Sequence, residues 1–290
     1  MGHFQNSLVI NNMIIETTRK YEEENPPDFI THLNYISFLS DKSKNLEIKC
    51  SLTIGKQIER FPAISKKINL INLTWRGIEW EYKNIIDNPE YAVICVSWIS
   101  VKSYYLLFNL CLIMKYLLTG DKAAFNSSHS EILNNVKGYI ARGELVFNRD
   151  EFNRLYSCQE ALKWKARSGS NIKIIGVDEN ERFMQIIKKL ANYSLEEYKR
   201  ANKIKNFKSK KNKELYIKYI GSKKISICEF LYWYRIKANY RDLEYLNKDI
   251  NAEKFKQFYS AYYELTKNIF NAFSILINSL AKDRLGEVVI

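Results

Sequence analysis

Nine consecutive residues, Tyr234-Arg235-Ile236-Lys237-Ala238-Asn239-Tyr240-Arg241-Asp242, bring together two guanidinium groups, an ammonium, an amide, two phenols and a carboxylate. They follow Phe230, Leu231, Tyr232 and Trp233, so the polar set sits beside an aromatic flank on what reads as one long helix. A guanidinium offers a fixed fork of donors that matches phosphate oxygens. Arg235 and Asn239, four apart, share a helix face. The chemistry this suggests is phosphate binding or RNA cutting without a metal. Arg235 would steady the scissile phosphate, and Asn239 and Tyr240 would orient substrate or shuttle a proton. Asp242 completes the candidate catalytic set, and Arg241 is a candidate RNA contact. Tyr232, Trp233, Tyr234 and Tyr240 suit stacking on unpaired bases. The same residues also suit a bland role, with aromatics in the core and Arg241 and Asp242 in ion pairs at a helical interface.

A second concentration of charge lies upstream. Between Lys199 and Lys224 there are eleven Lys or Arg against the single acid Glu214, a net +10 out of the chain's +13. A field of this size favours a polyanion. Lys208, Lys210, Lys211 and Lys213 are the candidate RNA-binding residues there, with a solvated basic loop as the alternative. Other chemistries find no support. No GxGxxG, Walker A, GxSxG or HExxH string is present. The five cysteines (Cys50, Cys95, Cys111, Cys158, Cys228) are scattered without CxxC spacing, and there are three histidines in all. Neither a metal site nor a cofactor is expected, and the cysteines read as buried thiols of a reducing, cytoplasmic compartment. Residues 1–15 carry no secretion signal.

These side chains need a scaffold, and the sequence points to helices. Ten Gly and four Pro in 290 residues are few for the turns of a multi-stranded sheet. The strongest element is Pro89 to Leu118, with Asn88 as N-cap, Pro89 at the first position and Gly120 as the stop. It is apolar all round and so central in a bundle. Its longest uncharged run, Ser103 to Met114, falls short of the ~18 residues of a membrane span, so no membrane partner is expected. Ser128-x-x-Glu131, Asp178-x-x-Glu181, Ser194-x-x-Glu197 and Ser226-x-x-Glu229 are capping signatures that open further helices, the last one carrying Arg235 to about Asn247. Asn148 to Ser168 reads as one helix, Asn45 to Ile54 as a strand, and Ile172 to Val177 as strand or turn. The final helix, Ala252 to Ala281, carries one continuous stripe from Phe255 through Tyr262 and Ile269 to Leu280.

Ser103-Tyr104-Tyr105-Leu106-Leu107-Phe108 on a long helix, followed by Ser127-Ser128-His129-Ser130 opening the next, resembles the first half of a HEPN domain. Arg235 to Leu280 is similar to the second half. The resemblance spans about Asp87 to Ala281, with Gly169 to Ser222 as an insertion. It implies an α-helical, usually dimeric module, many members of which are metal-independent endoribonucleases of toxin or antiviral-defence systems. Their signature is Arg, four to six residues, then His. Arg235 matches the Arg, but Tyr240, Arg241 and Asp242 stand where His would fall, and no His follows Arg235 in the chain. His129 would have to come from another helix, and its position suits capping or packing. His3 and His32 have no supporting context.

The expectation is a mainly α-helical protein: residues 1–86 as an N-terminal α or α+β extension, and 87–290 as a HEPN-like bundle with a basic insertion around 199–224. Its function would be that of an RNA-directed effector, either an endoribonuclease with an altered motif or a degenerate RNA binder. The partners would be RNA and a cognate antitoxin or defence protein. The alternative is a helical scaffold with no nucleic-acid activity. The final helix and the Arg235 helix together carry more apolar surface than one bundle covers, which predicts a homodimer with two Arg235 clusters facing one cleft.

Overall fold

The computed structural model describes residues 29–52, 55, 57–60, 62–165, 178–240 and 252–290. Mainly helical as expected, it is organised around one apolar helix. That helix, α3 (Glu90–Thr119), follows α1 (Phe29–Lys42) and α2 (Pro62–Asp87). Next come α4 (His129–Ala141), α5 (Asp150–Asn153), α6 (Cys158–Lys163), α7 (Glu179–Ala201), α8 (Lys210–Ser222), α9 (Phe230–Tyr240) and α10 (Ala252–Leu285). Ile99, Leu110, Ile113 and Leu117 of α3 are fully buried. Asn88 Oδ1 accepts from the Glu90 amide at 3.2 Å, although Pro89 rather than Asn88 occupies the cap position. At the other end Gly120 adopts φ 72°, where a Cβ would lie 3.0 Å from the Arg284 guanidinium and 3.2 Å from Ile58. Only glycine fits that stop.

α10 runs parallel to α3. The Thr266 hydroxyl donates to Ser103 at 2.7 Å, and 18 residues later Arg284 Nε donates to the Leu117 carbonyl at 2.8 Å. Of the stripe read in the sequence, Phe255, Phe258, Tyr262, Leu265, Leu276 and Leu280 are buried and Ile269 is half-buried. α9 carries Phe230, Leu231, Trp233 and Tyr234 into the same core. Of the described side chains on these two helices, Ile275 of α10 is the large apolar one left exposed.

The described part of the N-terminal extension, residues 29–86, packs into the same core. Tyr35, Ile36 and Leu39 of α1 and Ile64, Ile71, Ile78 and Ile85 of α2 belong to the core that α3 and α10 share. β1 (Ile48–Cys50) pairs antiparallel with β2 (Leu145–Phe147), crossing the expected boundary at 86. The remaining short sheet pairs β3 (Tyr156–Ser157) with β4 (Lys224–Ile225).

Three expectations need correction. The helix read over 148–168 is broken into α5 and α6 by β3, because Tyr156 is drawn into pairing with Ile225. Ser194 opens no helix; it lies buried inside α7, where its hydroxyl meets the Tyr219 phenol at 2.5 Å. The basic segment is a loop only over 202–209: Ser209 then caps α8, whose Tyr219 stacks on Tyr198 at 4.1 Å between centroids. The run 172–177 lies outside the described residues.

Candidate active site

Two capped helices and the core helix converge on one ring cluster. Ser226 forms the full capping box that the sequence promised: its hydroxyl accepts from the Cys228 amide, and the Glu229 carboxylate accepts from the Ser226 amide at 3.2 Å. The short 3-10 turn this creates feeds directly into α9 and fixes the angle at which Arg235 leaves the core. Ser128 caps α4 through the Glu131 amide at 3.2 Å. Here the box is half-made, because the Glu131 carboxylate turns away to Lys115 at 2.5 Å and Ser127 at 3.0 Å. That ion pair ties the start of α4 to α3 and puts His129, its first residue, against Tyr104.

The Arg235 guanidinium carbon lies 4.8 Å from the Tyr104 ring, 5.4 Å from Tyr232 and 5.5 Å from Tyr105. Three rings around one guanidinium hold it by cation–π attraction of about 0.5–2 kcal/mol each, without neutralising it. One donor, Nη1, reaches the Tyr105 hydroxyl at 3.1 Å. Among the described residues Nε has no hydrogen-bond partner, and no carboxylate pairs with Arg235. The bland reading, an ion pair of Arg241 and Asp242 at a helical interface, falls on residues outside those described.

His129 shares the cage. Its Nδ1 lies 2.6 Å from the Tyr104 hydroxyl, and its ring packs on Phe108 at 4.3 Å and edge-on to Tyr105 at 5.8 Å. Burial, and then the Arg235 charge, hold its pKa below the ordinary histidine range, so it is neutral at pH 7. Burial pushes the Tyr104 phenol well above its ordinary value, so that group keeps its proton. Its hydroxyl has no other acceptor among the described residues, which assigns the hydrogen bond as Tyr104 O–H to Nδ1 and leaves the His129 proton on Nε2. The cage thus combines a fixed cation with a neutral N–H donor.

The sequence read Arg235 as a site residue and His129 as a cap; the fold puts them in one cluster. The signal that would have found His129 was the Ser-His pair after the Tyr104-Tyr105 helix. Asn239 and Tyr240 occupy the last turn of α9, with side chains outside what is described, and Arg241 and Asp242 lie outside the described residues. His32 is buried against Tyr234 at 4.9 Å between ring centroids, on the core side of α9. Lys208, Lys210, Lys211 and Lys213 are all exposed around the start of α8, and none of them forms an ion pair among the described residues. Among the described residues no group of His, Cys, Asp and Glu is placed to hold a metal ion.

Comparison with protein-family models, with curated proteins and with solved structures finds no match for this chain.

Proposed function

We propose that the protein is an RNA-directed effector that grips a backbone phosphate with Arg235 and His129 and cleaves the strand without a metal. The observation that carries this reading is the cage itself: a guanidinium with no carboxylate beside it among the described residues and a neutral histidine, both held on Tyr104. A buried arginine that served packing alone would be expected to find an acid, since leaving a partly buried charge unpaired is costly. Two aimed donors are what a phosphate needs as its charge rises when a ribose 2′-hydroxyl attacks phosphorus. In that step the 2′-hydroxyl gives up its proton to water as the 2′-oxygen–phosphorus bond forms, the bond to the 5′-oxygen breaks, and the departing 5′-oxygen takes up a proton from water. The products are a 2′,3′-cyclic phosphate and a 5′-hydroxyl. The four exposed lysines at the start of α8 supply the sequence-independent attraction that brings a polyanion to the protein.

The resemblance to HEPN ribonucleases supports the same reading, and His129 stands in for the histidine missing after Arg235. The test is incubation of the protein with single-stranded RNA in excess EDTA, with the new ends analysed chemically. Cyclic-phosphate ends that disappear in both Arg235→Ala and His129→Ala support the reading. RNA that is bound but left intact by the unaltered chain reduces it to an RNA-binding module. A chain that neither binds nor cuts RNA is a helical scaffold.

A further inference from the structure

The Tyr105 hydroxyl accepts a hydrogen bond from Arg235, and its ring also opens outward, 39 % exposed, onto the α2–α3 hairpin. Along α3 the same face carries Trp98, seven residues or roughly 10 Å before Tyr105, and Ile94 one turn further. Trp98 is 56 % exposed, and Trp80 on α2 is 59 % exposed with its ring edge-on to Tyr91 at 6.2 Å. Three large rings thus lie open on this hairpin, and one of them belongs to the cage.

The exposed charges beside those rings share one sign. On α2, Arg76, Trp80 and Lys83 recur at steps of four and three, so two cations flank the Trp80 ring on a single line. Two ties between the helices set their level against α3: Lys67 donates to Asn109 at 3.0 Å, and Lys102 pairs with Glu81. Arg76 and Tyr105 both lie between those ties, while Lys83 and Trp98 both lie beyond the second. Neither Arg76 nor Lys83 forms an ion pair among the described residues. From Pro62 to Lys83 the exposed charged residues are Lys66, Arg76 and Lys83, all cations, because Glu81 is spent on Lys102 and Glu79 is half-buried. The exposed acids Asp87 and Glu90 come only at the tip of the hairpin.

We propose that this face is a track for unpaired RNA that continues from the cage, with bases stacked on Trp98 and Trp80 and phosphates held by Arg76 and Lys83. The inference rests on the RNA reading of the cage and adds the class of substrate: a strand with several unpaired nucleotides on one side of the gripped phosphate. Open rings interleaved with unpaired cations suit a single strand, since every base has a ring face and every linkage a charge. A duplex keeps its bases stacked on one another and offers the rings nothing. An apolar protein surface would bury Arg76 and Lys83 without partners, which is costly. Leu70, Leu73 and Ile94 offer no hydrogen bond to a base edge, so the track takes any sequence. Asp87 and Glu90 repel a phosphate and end it at the hairpin tip.

The test is binding of the full chain, in excess EDTA, to a labelled oligouridylate of about 12 nucleotides and to an RNA duplex of the same length, read by fluorescence anisotropy. Trp80→Ala and Trp98→Ala should each weaken single-strand binding by about 10-fold and leave duplex binding unchanged. Trp98→Tyr should restore most of that loss, because a ring remains, and Trp98→Leu should not. Replacing Arg76 and Lys83 together by serine should flatten the slope of log affinity against log salt by about 1.4. Ile275→Ala, 69 % exposed but on α10, should change neither. If the tryptophan variants bind the single strand as the unaltered chain does while Arg235→Ala binds it less well, the track is overturned and the cage reading stands. An unaltered chain that binds no RNA overturns both. Equal affinity for strand and duplex would also remove the track. So would a Trp98→Leu variant that binds as well as Trp98→Tyr, which would make the face an apolar contact for a protein.

Discussion

α4 and α9 each contribute two ionisable side chains, or the turn leading into them does, and the two pairs end in opposite circumstances. At one end Lys137 of α4 meets Glu229 at 2.7 Å, with side-chain exposures of 10 % and 3 %, and Lys223 joins the same carboxylate oxygen at 3.3 Å. Burial holds Lys137 below the ordinary lysine range even with that partner. At the other end Arg235 and His129 face each other through Tyr104 with no acid between them among the described residues. The first pair is closed: every charge is used to hold α4 to the turn before α9. The second is unpaired among the described residues: ring faces surround its cation, and its buried Nε finds no hydrogen-bond partner there. A charge that the fold has neutralised is structural, whereas one that it has fixed in place without neutralising is set up to meet something from outside.

The largest effect that separates the two ends belongs to the closed one. Glu229→Ala leaves Lys137 buried and unpaired and removes the carboxylate of the capping box, so it should lower stability by about 3–5 kcal/mol in chemical denaturation. Arg235→Ala gives up its ring contacts but also removes an unpaired charge, so it should lower the denaturation midpoint less than Glu229→Ala does while RNA cleavage falls by about 10²–10³-fold. Arg235→Lys should rescue little of it, because an ammonium lacks the planar fork and stacks poorly on three rings. If Arg235→Ala instead lowers the midpoint as far as Glu229→Ala does, both ends are structural and the distinction collapses.

A smaller effect concerns how RNA arrives. Neutralising Lys208, Lys210, Lys211 and Lys213 together should weaken binding for all sequences alike and flatten the slope of log affinity against log salt by up to about 3, roughly 0.7 for each phosphate no longer neutralised. An unchanged slope would make α8 a solvated helix only.

The smallest effect is in the pH dependence of stability. His129 has a folded pKa depressed below its unfolded value, so the unfolded chain binds the extra proton first. Its contribution is fully present above the unfolded value and is lost as the pH falls toward the folded one. Thermal melts between about pH 7 and pH 5 should therefore fall less steeply for His129→Gln than for the unaltered chain. Parallel slopes would show that burial and the Arg235 charge together do not depress the His129 pKa.

Much of this contrast was written in local sequence. Ser226 and Glu229 announced their capping box, Asn88-Pro89 and Gly120 bounded α3, and the stripe from Phe255 to Leu280 marked a buried face. Each of these signals acts within one helical turn or one helical period, so it survives without knowledge of the fold. Where a nonlocal partner competed, the local signal failed. Ser194 had the spacing of a cap, but the Tyr219 phenol claimed its hydroxyl inside α7. The helix expected over 148–168 gave way where Tyr156 paired with Ile225, 69 residues further on.

The sequence by itself determined that the chain is helical, that α3 is its axis, and that Arg235 is the arginine to watch. These follow from periodicity, capping chemistry and the shortage of turn residues, all of them local. Only the tertiary structure decided that His129, 106 residues before Arg235, lies on the same tyrosine, and that Arg235 has no acid among the described residues. It alone also decided that most of the exposed large apolar side chains among the described residues lie on α2 and α3. Those outcomes depend on how helices pack against one another, and an amphipathic stripe says that a face will be covered without saying by what.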